Sequence, residues 1–240
     1  MGRLKTTLVT SQPRGRRGYS DAHRDEIRQA FIEAGRRLLA GGTEMSMRRI
    51  AAEAGWSAAA IYQYFPDQRA LLAEIRQGDM NAATDAMEAV ATRVTEPRER
   101  LREVFLTGAR YWLAHPDHFD CLFTSPPEKE VLRCADGTPF GQSDTVRRSL
   151  ALYRRVVGAF LDALPARPVT VEVAVDVLIA ATHGVIAFPR ATRSMHWTAT
   201  LPMVECVIDA LLDTWSRTAF GPGACERTRV TPDHLINAFN

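Results

Sequence analysis

Residues Ser46–Leu72 read SMRRIAAEAGWSAAAIYQYFPDQRALL, and their pattern decides the fold. Ser46 precedes a helical repeat in which Met47, Ile50, Ala51 and Ala54 fall on one face. Gly55 follows where a helix end calls for left-handed backbone. Ser57 then caps a second short helix over Ala58–Phe65, and Pro66 closes it. Asp67 caps a third, longer helix that turns Leu71, Leu72, Ile75, Met80, Ala83 and Met87 inward. Two short helices joined by a glycine turn form a helix-turn-helix unit. Ala51 is small where the two helices would cross, and Ile50, Ile61 and Phe65 would seal a small core. The second helix is short enough to enter a major groove about 12 Å wide end-first.

The same periodicity extends outward on both sides. Ile27, Ala30, Phe31, Ala34 and Leu38 recur at three- and four-residue steps, between a start at Ser20-Asp21 and a stop at Gly41-Gly42. Downstream, Leu101, Val104, Phe105, Gly108 and Trp112 share a face that ends at His115-Pro116. A short helix with Phe119, Leu122 and Phe123 follows, and Ser125–Ser143 reads as a long loop. Three further helices fit 144–164, 170–188 and 200–218, broken by Pro165, Pro168 and Pro189. No strand alternation is visible. The expectation is an all-α chain of about nine helices: a three-helix helix-turn-helix domain and a larger helical bundle. Its parts would be a basic arm at 1–19, the helix-turn-helix domain at 20–67, the larger helical domain at 68–220, and a tail at 221–240.

Composition narrows the function. A chain of 240 residues, 46% hydrophobic and 24% charged, can bury a sizeable core. No uninterrupted apolar run approaches the roughly 18–20 residues of a membrane span, and the basic N-terminus lacks the apolar segment of a secretory leader. Four scattered cysteines, Cys121, Cys134, Cys206 and Cys225, fit a reducing cytoplasm better than a disulfide framework. The net charge of +2 hides an asymmetry: residues 1–76 hold 13 Lys/Arg against 8 Asp/Glu, the remainder 17 against 20. The first twenty residues carry Arg3, Lys5, Arg14, Arg16 and Arg17 and no acid. A basic front end on a mildly acidic body suits a polyanionic partner, and argues against a DNA binder that coats nucleic acid along its whole length.

The segment resembles the DNA-binding signature of the TetR family, roughly I-A-x-x-A-G-x-S-x-x-x-[LI]-Y-x-[HY]-F-x-x-K-x-x-L-L. The matching residues are Ile50, Ala51, Ala54, Gly55, Ser57, Ile61, Tyr62, Tyr64, Phe65, Leu71 and Leu72. The resemblance implies that Ser46 and Arg48 meet phosphates, while Ser57, Ala58, Ala59 and Gln63 lie nearest the bases. Gln63 has the amide to pair bidentately with adenine, and Ala58 or Ala59 a methyl to meet thymine. Tyr62 and Tyr64 would position the domain on phosphates. Two departures stand out. Gln68 replaces the usual lysine, so Arg69 or the arm residues Arg14, Arg16 and Arg17 would supply the charge. Trp56 replaces a smaller aliphatic residue and either packs the turn or leans on the DNA backbone.

For the remaining helices the resemblance implies a homodimer that binds a small-molecule effector. Ala180, Gly184 and Ala187 would allow close pairing, together with a helix bearing Val204, Val207, Ile208, Leu211 and Trp215. Candidate pocket residues are Tyr111, Trp112, Phe119, Phe123, Tyr153, Phe160 and His183, which suit an apolar or weakly polar ligand. A second reading takes His115, His118, Cys121 and Cys134 as a metal or thiol sensor, although Pro116 interrupts their helix. No Gly-rich phosphate loop, Gly-x-Ser-x-Gly elbow or His-Glu-x-x-His motif occurs, so no enzyme activity and no cofactor is expected. The expected partners are a double-stranded DNA operator, a second copy of the chain and an unidentified small molecule, with no membrane.

Overall fold

The computed structural model describes residues 20–41, 45–124, 134 and 136–217. The arm with Arg14, Arg16 and Arg17, most of the loop before Ser143, the tail and the Cys121 side chain lie outside the described residues. Nine α-helices and no β-strand are found among them.

Local chemistry sets the helix ends. Helix α1 (Asp21–Ala40) starts at Ser20, whose hydroxyl accepts from the His23 amide. Ser46, Ser57 and Asp67 do the same for α2 (Met47–Glu53), α3 (Ala58–Ile61) and α4 (Gln68–Arg93). Glu96 caps α5 (Pro97–Ala114), where Pro97 occupies a first-turn position that needs no amide hydrogen. The short α6 (Pro116–Phe119) runs into a single π-helical turn over Asp120–Thr124. After a 3₁₀ turn at Phe140–Gln142, Ser143 caps α7 (Asp144–Asp162), and Thr170 caps α8 (Val171–Ala191). Helix α9 (Thr200–Arg217) completes the described chain.

Two of these boundaries differ from the sequence reading. Pro189 does not stop α8, which continues to Ala191. Its last turn is held from outside: the Arg190 guanidinium donates to Asp120, with Nε 3.0 Å from Oδ1, and Thr192 N–H closes onto the Phe188 carbonyl. The recognition helix is shorter than expected, because the chain tightens after Ile61. The Gln63 amide bonds Ala60 O, and Tyr64 and Phe65 amides share Ile61 O.

Apolar residues sort into two cores. The smaller gathers Ile27, Phe31, Ile50, Ile61, Phe65 and Leu71 from α1 to α4. The larger joins the far half of α4 (Ala83, Met87) to α5, α7, α8 and α9. Full burial of each such side chain contributes about 1.5–3 kcal/mol. Helix α4 therefore runs through both, as a rod of about 39 Å at 1.5 Å per residue. Gly35 lets α1 approach that rod, since a Cβ there would lie 2.9 Å from Ile75 Cδ1 and 3.0 Å from Leu71 Cδ2. Between the two cores α4 buries a charged residue, Asp79.

Candidate nucleic-acid interface and ligand cavity

In the head, α2 and α3 are joined at Gly55, whose φ of +79° is the left-handed geometry that favours glycine. Ile50, Ala51 and Ile61 have no exposed surface, so the two helices are locked at their crossing. The opposite side of α3 is open: Ser57, Ala58, Ala59, Tyr62 and Gln63 are all exposed. Ser46 and Arg48 are exposed beside them at the start of α2, and Arg69 at the start of α4, where Gln68 is half-buried. The Ser46 and Ser57 hydroxyls already accept from Arg49 and Ala60 amides, which leaves their O–H hydrogens for a phosphate. Trp56 is half-buried, its ring centroid 6.4 Å from that of Phe31, so it packs the turn. Tyr64 is also half-buried, 5.6 Å from Phe31.

The head is braced by arginines on α1. Arg28 sits over the Phe65 ring at 4.7 Å, donates to the Tyr64 carbonyl and pairs with Glu74 of α4. Arg37 pairs with Glu53 of α2 at 2.8 Å. Arg36 reaches Asp79, where His118 Nδ1 also lies 3.4 Å from Oδ1. Burial pushes the Asp79 carboxyl above the usual carboxylate range, against the pull of Arg36 and His118. Tyr111 turns toward this joint rather than the cavity: its Oη lies 3.5 Å from His118 Nδ1, and burial pushes the phenol up to about 12.

A small cavity of about 10 Å³ lies in the body, walled by Phe105, Gly108, Ala109 and Trp112 of α5, Tyr153 of α7, and Thr182, His183 and Ile186 of α8. Of the residues expected there, Trp112, Tyr153 and His183 line it directly. Phe119 and Phe123 are not in the lining but pack on His183, with centroids 5.9 and 4.7 Å from its ring. Phe160 is not in the lining; it is core, 2% exposed, on the buried stripe of α7. Phe105, Gly108, Ala109, Thr182 and Ile186 were missed, because an apolar or small residue on a helix stripe gives no sign of which gap it faces.

On the outside of the body, α8 exposes Val177, Ala180, Gly184 and Phe188, while Ala187 is half-buried. The neighbouring face of α9 exposes Cys206 and Ala210, with Val207 and Leu211 half-buried. Val204, Ile208 and Trp215 were expected on this face and are not there: they are 0%, 0% and 7% exposed, packed into the chain's own core. Helix α9 is apolar on two sides, and those three residues form the inward stripe. By length and composition α8 is apolar enough to cross a bilayer, although Glu172 and Asp176 interrupt its apolar run.

Of the residues of the alternative sensor, His115, His118 and Cys134 are described, and the Cys121 side chain lies outside the described residues. Among the described residues no group of three His, Cys, Asp or Glu converges on one point. His115 and His118 stack on each other with centroids 4.8 Å apart, and His118 is spent on Asp79. Cys134 is buried, with its amide on the Thr138 carbonyl.

The family model for bacterial regulatory proteins of the tetR family matches residues 31–75. No curated protein matches the chain. Among solved structures, it is similar to a TetR family transcription regulator from Marinobacter aquaeolei VT8, at 22% identity and TM-score 0.60, over 81% of this chain and 97% of that one. A protein of unknown function from Rhodococcus sp. RHA1 superposes with TM-score 0.66 at 19% identity, covering 85% and 100%. SmeT, the repressor of the Stenotrophomonas maltophilia multidrug efflux pump SmeDEF, does so with TM-score 0.61 at 18% identity, covering 82% and 94%. Residues 31–75 of the head thus match the tetR family model, and the chain as a whole shares its fold with solved TetR family transcription regulators.

Proposed function

We propose that this chain is an effector-responsive repressor that binds an inverted-repeat operator as a homodimer in the cytoplasm. The observation that carries this reading is the polarity of α3. Ile61 is wholly buried, whereas Ala58, Ala59, Tyr62 and Gln63 on its other side are exposed on a braced head. Gln63 is the base-reading side chain, and Ser46, Arg48, Ser57, Tyr62 and Arg69 position the head on phosphates. Trp56 and Tyr64 act from behind by packing on Phe31. Arg14, Arg16 and Arg17 add phosphate contacts.

One head gives little specificity, and two heads spaced by about 34–36 Å meet successive major grooves. The apolar outer face of α8 with the adjoining side of α9 is the surface for the second copy, with Ala180 and Gly184 at the closest approach. A protein partner suits α8 better than lipid, because its other face is built into the core through Val175, Leu178 and Ile186.

Effector response follows from α6. His118 faces Asp79 and the next residue, Phe119, stacks on His183 at the cavity. A ligand that moves Phe119 also moves His118 against Asp79, and through Arg36 it shifts α1 and the head. The ligand acts by binding the released state better, with about 1–3 kcal/mol of coupling typical.

The test is selection of bound sequences from a random duplex pool with the purified protein, washed at two salt concentrations. The expected product is an inverted repeat that survives the higher salt. Binding without a motif, lost steeply as salt rises, would show charge attraction alone.

A further inference from the structure

What a cavity recognises depends on what its walls still offer after their internal hydrogen bonds are made. Among the described residues no charged side chain lines this one. His183 Nδ1 lies 2.9 Å from the Ile179 carbonyl, and a carbonyl only accepts. Desolvation pushes the imidazole below its ordinary value, so the ring is neutral. Nδ1 therefore carries the one proton, and Nε2 is left as a bare acceptor. Thr182 has committed its hydroxyl hydrogen to the Leu178 carbonyl. The Tyr153 hydroxyl is kept protonated by burial and donates only to the Met87 thioether at 3.2 Å, a weak acceptor.

The apolar part of the site is aromatic. The Phe123 ring stands edge-on to Trp112 at 5.4 Å and to His183 at 4.7 Å, so the slot between them already holds a six-membered ring. Phe123 is nevertheless 42% exposed, unlike its neighbours Trp112 and Phe119 at 3% and 0%. Turning it outward gives up its contacts with Trp112, Phe119 and His183, which an incoming ring restores, and frees a ring-sized space beside the existing cavity, which by itself holds about one water.

We propose that this cavity takes an uncharged aromatic hydroxyl compound, whose ring replaces Phe123 between Trp112 and His183 and whose hydroxyl donates to His183 Nε2. The proposal rests on the reading of the chain as ligand-responsive and names the class of ligand. A bare hydrocarbon leaves Nε2 without a donor. A carboxylate meets that lone pair and no cation, and an ammonium group loses its hydration with no counter-charge.

Equilibrium dialysis of the full-length protein against naphthol, naphthalene and naphthoate near neutral pH tests this with one bicyclic aromatic skeleton bearing a hydroxyl, no polar group or a carboxylate. Naphthol is expected to bind about fivefold more tightly than naphthalene, the worth of one neutral hydrogen bond. It is expected to exceed naphthoate by about tenfold or more. His183→Phe abolishes the preference for naphthol over naphthalene. Phe123→Ala, at a partly exposed position, tightens binding of both by removing the competing ring. Tightest binding of naphthoate, no binding of any of the three, a preference that survives His183→Phe, or weaker binding by Phe123→Ala would overturn the proposal. No DNA enters the assay. Naphthol that binds as described but leaves operator affinity unchanged would overturn the effector mechanism and leave the ligand class standing.

Discussion

Arg36 of α1 and Asp79 of α4 form an ion pair at the joint between head and body, with Nη2 at 2.7 Å and Nε at 2.9 Å from the same carboxylate oxygen. The other oxygen, Oδ2, is buried with no hydrogen-bond partner among the described residues. A carboxylate 1% exposed and half-satisfied is held in place by its cation.

Removing that cation alone should therefore be costly. Arg36→Met is expected to lower stability by about 3 kcal/mol in urea denaturation, since it strands a buried charge. Adding Asp79→Leu should recover most of the loss. Equal stability of the single and double variants would show that the pair does not hold the joint.

His183 gives a pH dependence of definite sign. The unfolded imidazole titrates near its ordinary value of about 6.5, and desolvation places the folded one lower. The stability its neutral form contributes is complete above about pH 6.5 and is lost as pH falls below that toward the folded value. Wild-type Tm should thus fall more steeply than that of His183→Phe between about pH 7 and pH 5. Parallel curves would mean that the ring is not desolvated.

Gly184 separates dimer from fold. A Cβ there meets nothing within 4 Å, so Gly184→Arg leaves the single chain intact. Across a two-fold axis the same arginine appears twice on facing surfaces, where like charges cost several kcal/mol. Sedimentation should find the wild type dimeric and the variant monomeric with unchanged helicity. A dimeric variant would move the interface off this face.

Gly55→Ala tests the turn. Nothing crowds a Cβ there, so the loss is backbone strain alone, about 1 kcal/mol in thermal unfolding. No loss would mean the left-handed turn carries no strain.

Much of the head was legible because short-range rules govern it. Ser46, Ser57 and Asp67 cap the helices as their position before an apolar repeat implies, and Gly55 takes the expected backbone sign. The body was legible as helices but not as surfaces. Val204, Ile208 and Trp215 alternate along α9 with Val207 and Leu211, and periodicity cannot tell which apolar stripe meets the core when both exist. Asp79 gave no signal, since an acid in a long helix reads as solvent-facing until α1 and α6 deliver Arg36 and His118 to it. Pro189 misled for a similar reason: Arg190 is anchored by Asp120, 70 residues earlier in the chain.

The reading of α3 as the element that reads bases is tested most directly by repeating the duplex selection with Gln63→Ala beside the wild type. The expected result is the same inverted repeat with preference relaxed at one position of each half-site, at a cost of about 1–3 kcal/mol for the original base. An unchanged motif, with every position as sharply preferred as before, would contradict the assignment of base readout to this helix face.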